Sequence, residues 1–232
     1  MSVLHLVRIP LNPPRLLRFA FEHGITQEDE NLGYTLHAWF TALFGELAPK
    51  PFRYFERRSE VLAYATADAA TLLARARAVA SPQAWEALVP DGVASKPMPE
   101  VWQAGQRLRL EVLTCPVSRK GDVEKDLYLW TLDRLGEAAP PRAEVYRAWF
   151  TAQWADAVRF DQLELLGMNA RSRLLRRARD GASRLRVVER PQALFGANVV
   201  ICDAERFSAL LARGIGRHRA FGFGMVLLAP RQ

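Results

Sequence analysis

Tyr34 and His37 stand three residues apart, a spacing that brings a phenol and an imidazole to neighbouring positions one turn apart on a helix. On a wheel at about 100° per residue, Leu32, Leu36, Trp39, Phe40 and Leu43 form one apolar sector. With Leu36 as zero, His37, Thr41 and Tyr34 fall at about 100°, 140° and 160°, so a polar, proton-bearing edge runs beside the buried stripe. Imidazole titrates near neutrality and can take or give a proton, while a phenol one turn away can position the same substrate, chemistry suited to RNA cleavage. The spacing equally fits a surface histidine with a tyrosine neighbour, because YxxH is a weak motif.

A second segment, GIGRHRAFGFG at residues 214–224, encloses Arg217, His218 and Arg219 between four glycines. Gly214 and Gly216 permit positive φ and remove bulk, so backbone N–H groups can converge on an anion that Arg217 and Arg219 neutralise. His218, flanked by two arginines, reads as an RNA contact or a loop-lining residue. A tight helix-to-strand connection needing only one or two glycines is the plainer reading. Nucleotide-binding loops do not match: no GKS/T ending is present, and these glycines follow a helix where dinucleotide fingerprints follow a strand.

The third segment carries Arg171, Arg173, Arg176, Arg177 and Arg179, with Arg184 and Arg186 following. As a hairpin or helix arm it would project a row of guanidinium groups, which grip phosphate bidentately and stack on bases. A merely solvated amphipathic element would interleave acids, and only Asp180 interrupts the run. Finally, Arg119 and Lys120 close a strand after Pro116 and can offset charge on a pentavalent phosphorane, or form a polar turn. No His, Asp and Glu cluster of metal-ligand spacing occurs, which disfavours a two-metal nuclease and predicts no metal or other cofactor.

These segments need elements to hold them. Half of the 232 residues are apolar, enough for one large or two small cores. No apolar run approaches the length that crosses a bilayer and the N-terminus has no secretion pattern, so a cytoplasmic protein without a membrane partner is expected. Cys115 and Cys202 are too few for a disulfide framework or thiolate cluster. The net charge of +7 suits a polyanion, and residues 165–232 concentrate it, with thirteen arginines against four acidic residues. Charge alone also fits a protein that binds no nucleic acid.

Alternation predicts strands over 3–9, 52–58 and 60–66, a helix over 32–44, and a second helix running to Val79 with Asp68 as its N-cap. A Pro-rich passage holding a last strand leads into a second round. That round has a strand over 106–113, helix-like stretches within 122–135 and 142–158, and strands over 160–169, 183–189 and 197–202. A helix over 204–213 and a strand over 223–228 close it. Two successive β-α-β-β-α-β units predict an α+β fold of two tandem ferredoxin-like, RRM-like modules. The expected domains are residues 1–103 with the Tyr34–His37 helix and residues 104–232 with the Arg-rich arm and Gly-rich loop.

The whole chain resembles the CasE-type CRISPR precursor-RNA endoribonucleases of type I-E systems. The resemblance rests on the opening strand, the helix bearing YTLH at 34–37, the Pro116 region and, most specifically, GIGRHRAFGFGMVLLAP at 214–230. It implies two tandem ferredoxin-like modules, recognition of a CRISPR repeat RNA hairpin, one cut at the hairpin's 3′ base, and retention of the crRNA with other effector-complex subunits. It also implies His37 as the catalytic histidine, Tyr34 as its assistant, and Lys120 or Arg119 as a helper cation. An extended segment from Leu11 to Asn31 and the unusually Arg-rich arm depart from the pattern, and a relative serving a type IV system fits too. A non-catalytic RNA-hairpin-binding subunit and a regulator reading duplex DNA are the competing expectations.

Overall fold

The computed structural model describes residues 3–25, 28–30, 32–177 and 185–230; Arg179, Arg184 and the start of the strand expected over 183–189 lie outside them. The fold is α+β, and each of its two compact units is built around a four-stranded ferredoxin-like sheet.

The first unit comprises Met1–Glu100, Arg173–Val188 and Ala220–Gly222. Its elements are β1 (His5–Pro10), α1 (Pro13–Glu22), α2 (Gly33–Phe44), β2 (Phe52–Phe55), β3 (Glu60–Ala65), α3 (Ala69–Val79), α4 (Pro82–Glu86) and β4 (Ala94–Pro97). The sheet runs β2-β3-β1-β4, with β1 antiparallel to both neighbours. Val7 and Ile9 on β1 meet Leu36, Trp39, Phe40 and Leu43 of α2 in one core, so the apolar sector of the wheel is the packed face. Asp68 caps α3 as expected, accepting from the Thr71 N–H at 2.8 Å.

The long segment before α2, to which the sequence pattern assigns no element, contains helix α1. Asn12 accepts from the Arg15 N–H and Pro13 occupies the first turn, where its missing N–H and fixed φ suit a helix start. Leu16, Phe19 and Ala20 are the residues α1 buries.

The second unit comprises Val101–Ser172, Glu189–Arg219 and Phe223–Gln232. It holds β5 (Arg107–Thr114), β6 (Val117–Lys120), β7 (Val123–Asp126), α5 (Leu127–Leu135) and α6 (Arg142–Ala152). The long strands β8 (Val158–Arg177) and β9 (Leu185–Ile201) follow, then α7 (Ala204–Arg213) and β10 (Val226–Pro230). The sheet order is β10-β5-β9-β8, the same permutation as in the first unit, with β6 and β7 as a separate ribbon. Phe150, Trp154, Phe195 and Phe207 fill the core, Phe150 stacking on Phe195 with centroids 4.2 Å apart. The three short strands expected between 160 and 202 are two long ones, and Arg171–Arg177 is the end of β8, a strand arm.

Candidate active site and nucleic-acid interface

Helix α2 starts without a side-chain cap from its own N-cap residue: Leu32 is left-handed, at φ 52°. The buried carboxylate of Asp29 reaches forward instead and accepts from the Tyr34 N–H at 2.8 Å, satisfying one of the orphan donors of the first turn. Gly33 is the first helical residue, and a Cβ there would lie 2.5 Å from the Phe221 carbonyl oxygen, so only glycine admits the backbone carrying Phe221.

That approach sets the Phe221 ring against both residues of the YxxH pair. Tyr34 stacks on it, with centroids 6.1 Å apart and planes 10° apart. His37 meets it edge-on at 5.0 Å, and the Tyr34 and His37 rings are 6.3 Å apart. The Arg176 guanidinium lies 4.0 Å from the Phe221 centroid, a cation–π contact. His37 is half-buried, and burial pushes its pKa down, with the Lys50 and Arg176 cations adding to the shift. The imidazole is therefore neutral at pH 7 and able to accept a proton. Thr41, on the same polar edge, donates its hydroxyl to the His37 carbonyl at 2.8 Å.

The end of β8 is anchored in this unit by Leu175, which is buried with Ala20 and Ile25 and packed by Tyr34, Ala38 and Leu185. Arg173 pairs with Glu30 at 3.3 Å, and its carbonyl accepts from the Glu30 N–H at 3.2 Å. Arg177 is exposed.

The other expected contacts belong to the second unit. Arg119 donates to the Gly121 carbonyl at 2.8 Å and to Asp122 at 3.0 Å, while Lys120 lies 4.6 Å from the Trp130 centroid. Arg171 is exposed, its Nε 3.9 Å from Glu189. Gly214 and Gly216 have φ 78° and 76°, and a Cβ on Gly216 would crowd the Trp149 ring at 3.0 Å. Arg217 Nε and His218 Nε2 both bond Glu124, at 2.8 and 2.9 Å, and Arg190 joins them at 3.0 Å. Burial alone would push the Glu124 carboxyl up; the hydrogen bonds from His218, Arg190 and Arg217 and the histidine's charge outweigh it and hold the group far below the usual carboxylate range. Arg219 donates to the Arg213 carbonyl at 2.9 Å.

Tyr34, His37 and Arg176 thus gather in the first unit, whereas Arg119, Lys120 and the Arg217–Arg219 run form part of the second. Sequence reasoning missed Asp29, Gly33, Lys50, Glu124 and Phe221. Only Phe221 left a signal, as an aromatic residue inside a glycine-rich basic run. Among the described residues no three His, Cys, Asp or Glu side chains group as metal ligands, and no helix is long and apolar enough to cross a membrane.

The same fold is found in solved structures of CRISPR proteins. Thermus thermophilus Cse3, bound to an RNA representing a pre-cleavage complex, is 17% identical with a TM-score of 0.64, over 98% of this chain and 100% of that one. The CRISPR-associated protein Cas6e of Escherichia coli K-12 is 16% identical with a TM-score of 0.59, over 98% and 100%. A chain of a CRISPR RNA-guided surveillance complex is 18% identical with a TM-score of 0.55, over 98% and 100%. No curated protein matches by sequence. The model of a family described as CRISPR associated protein matches residues 4–230, nearly the whole chain, and this protein belongs to that family.

Proposed function

We propose that the chain is a metal-independent endoribonuclease that cuts CRISPR precursor RNA at the 3′ base of the repeat hairpin and stays bound to the mature crRNA in a cytoplasmic effector complex. One observation carries the reading: in a CRISPR-associated chain, a half-buried neutral imidazole stands beside a phenol and a guanidinium around one aromatic ring. Relatives of the same fold include an endoribonuclease bound to RNA and a chain of a surveillance complex, which supports both halves of the proposal.

In the proposed reaction the ribose 2′-oxygen attacks its own 3′ phosphorus. The bond to the 5′ oxygen of the next nucleotide breaks, leaving a 2′,3′-cyclic phosphate and a 5′-hydroxyl. Neither water nor a metal enters the balance. His37 takes the 2′-hydroxyl proton, for which its depressed pKa suits it, and the imidazolium returns that proton to the departing 5′ oxygen, while Tyr34 orients the nucleophile. Arg176, with Arg119 and Lys120 as further candidates, offsets the phosphorane charge. Arg171, Arg173, Arg177, Arg179 and the Gly214–Arg219 loop hold the hairpin.

The test is His37→Ala in single-turnover cleavage of a repeat hairpin with excess chelator. Binding should stay within a few-fold while cutting falls by about 100- to 10,000-fold, the usual contribution of a placed proton-transfer group. Cutting at the original rate removes His37 from the mechanism; hairpin binding by a wild-type protein that never cuts leaves a non-catalytic RNA-binding subunit. A strict magnesium requirement defeats the metal-free scheme.

A further inference from the structure

The half-buried ring of Phe221 touches every group that the proposed chemistry needs in the first unit. We propose that Phe221 is a positioning residue, whose ring fixes the Tyr34 phenol and the His37 imidazole in the mutual orientation that RNA cleavage requires. The proposal rests on the reading of His37 as the proton acceptor.

Three contacts and two backbone features support it. The ring is stacked on Tyr34, edge-on to His37 and capped by Arg176, so one flat surface restricts rotation of two side chains and places a cation beside them. Its own position is set by main chain rather than by side-chain packing alone. The Phe221 carbonyl sits where any Cβ on Gly33 would be, locking it to the first turn of α2 just before Tyr34. Gly222 follows at φ 88°, a conformation glycine adopts freely, so the chain turns away directly after the ring. A phenylalanine with two ordinary torsions, held at both ends, makes a rigid wall.

The wall also governs the proton. His37 is faced by Tyr34 from its own helix, by Lys50 from the segment after α2, by Arg176 from β8 and by Phe221. Removing the ring admits water to the imidazole, weakens the desolvation that favours its neutral form, and moves its titration upward toward 6.5.

The experiment uses the full chain with Phe221→Ala, Phe221→Leu and Phe221→Tyr. Three quantities are read: the His37 titration midpoint by NMR in the free protein, the hairpin Kd, and the single-turnover rate at saturating RNA. Phe221→Ala should raise the His37 midpoint and slow cutting by about 10- to 100-fold with Kd nearly unchanged, as expected when a catalytic group loses its orientation. Phe221→Tyr, which keeps the flat ring, should restore both. Phe221→Leu keeps bulk without a plane and supplies the readout should the alanine variant fail to fold; it should lose rate while circular dichroism stays native. An unchanged midpoint and rate in folded Phe221→Ala or Phe221→Leu overturns the proposal, as does a loss confined to Kd. Failure of the nuclease reading is separate: His37→Ala would then cut normally, while the His37 midpoint would still report whether Phe221 shields the ring.

Discussion

At His37, burial and two neighbouring cations push in one direction, and that has a consequence for pH. The imidazole stays neutral to a lower pH than a free one, so a general base at this position keeps working below 6.5. The acidic limb of the single-turnover rate should therefore have its midpoint below 6.5, and Lys50→Met, which removes one cation, should move it to higher pH. A limb that stays put in Lys50→Met shows that another group titrates. Stability follows the same sign. The unfolded histidine binds its proton at about 6.5 and the folded one only at lower pH, so its contribution is intact above 6.5 and is lost as pH falls through the folded value. Glu124 acts alike in a more acidic window: its folded carboxyl is depressed from 4.5, so its stabilisation is present above 4.5 and lost on acidification below it.

At the scale of elements, α2 and the β7 region show what local pattern can and cannot reveal. The helix was legible over 32–44 because its apolar stripe repeats at helical spacing, and the structure forms it over Gly33–Phe44. Its cap was not, because Asp29 lies five residues before the N–H it satisfies, across a left-handed Leu32. Asp29→Ala should cost about 1–2 kcal/mol in urea unfolding, the usual loss for a cap whose donor is left buried; a change near zero would mean that water replaces the carboxylate. Helix α1 was not assigned from sequence, and in the structure Pro13 and Pro14 stand in its first turn, where proline suits a helix start. Glu124 stood in a stretch that read as helical, and its partners Arg190, Arg217 and His218 are remote in sequence. No local period encodes such a cluster. Because the Glu124 side chain is only 9% exposed while Arg190 and Arg217 are 19% and 43% exposed, Glu124→Gln leaves partly solvated cations underpaired and should destabilise the chain by about 2 kcal/mol, between an exposed pair and a fully buried one.

For the molecule as a whole, the repeat of the β-α-β-β-α-β order was legible from alternation and turn residues, and both sheets have the same strand permutation. Charge distribution was legible too, but not its allocation. The thirteen arginines after residue 165 are not equivalent once folded: Arg190 and Arg217 bond Glu124 at 3.0 and 2.8 Å and Arg173 pairs with Glu30 at 3.3 Å, whereas Arg171 only approaches Glu189 at 3.9 Å in a solvent-exposed pair and Arg177 is exposed on β8. A cation already paired in the free protein must exchange a carboxylate for a phosphate, so it releases less from the RNA's counterion atmosphere per contact than an exposed one. Arg171→Ala and Arg177→Ala should each flatten the slope of log K against log salt for hairpin binding by about 0.7 to 1. Arg190→Ala, at a half-buried guanidinium held by Glu124, should leave the slope unchanged and lower thermal stability instead. If all three variants flatten the slope equally, the arginines act through the overall field of the protein and the strand arm has no special part in gripping RNA.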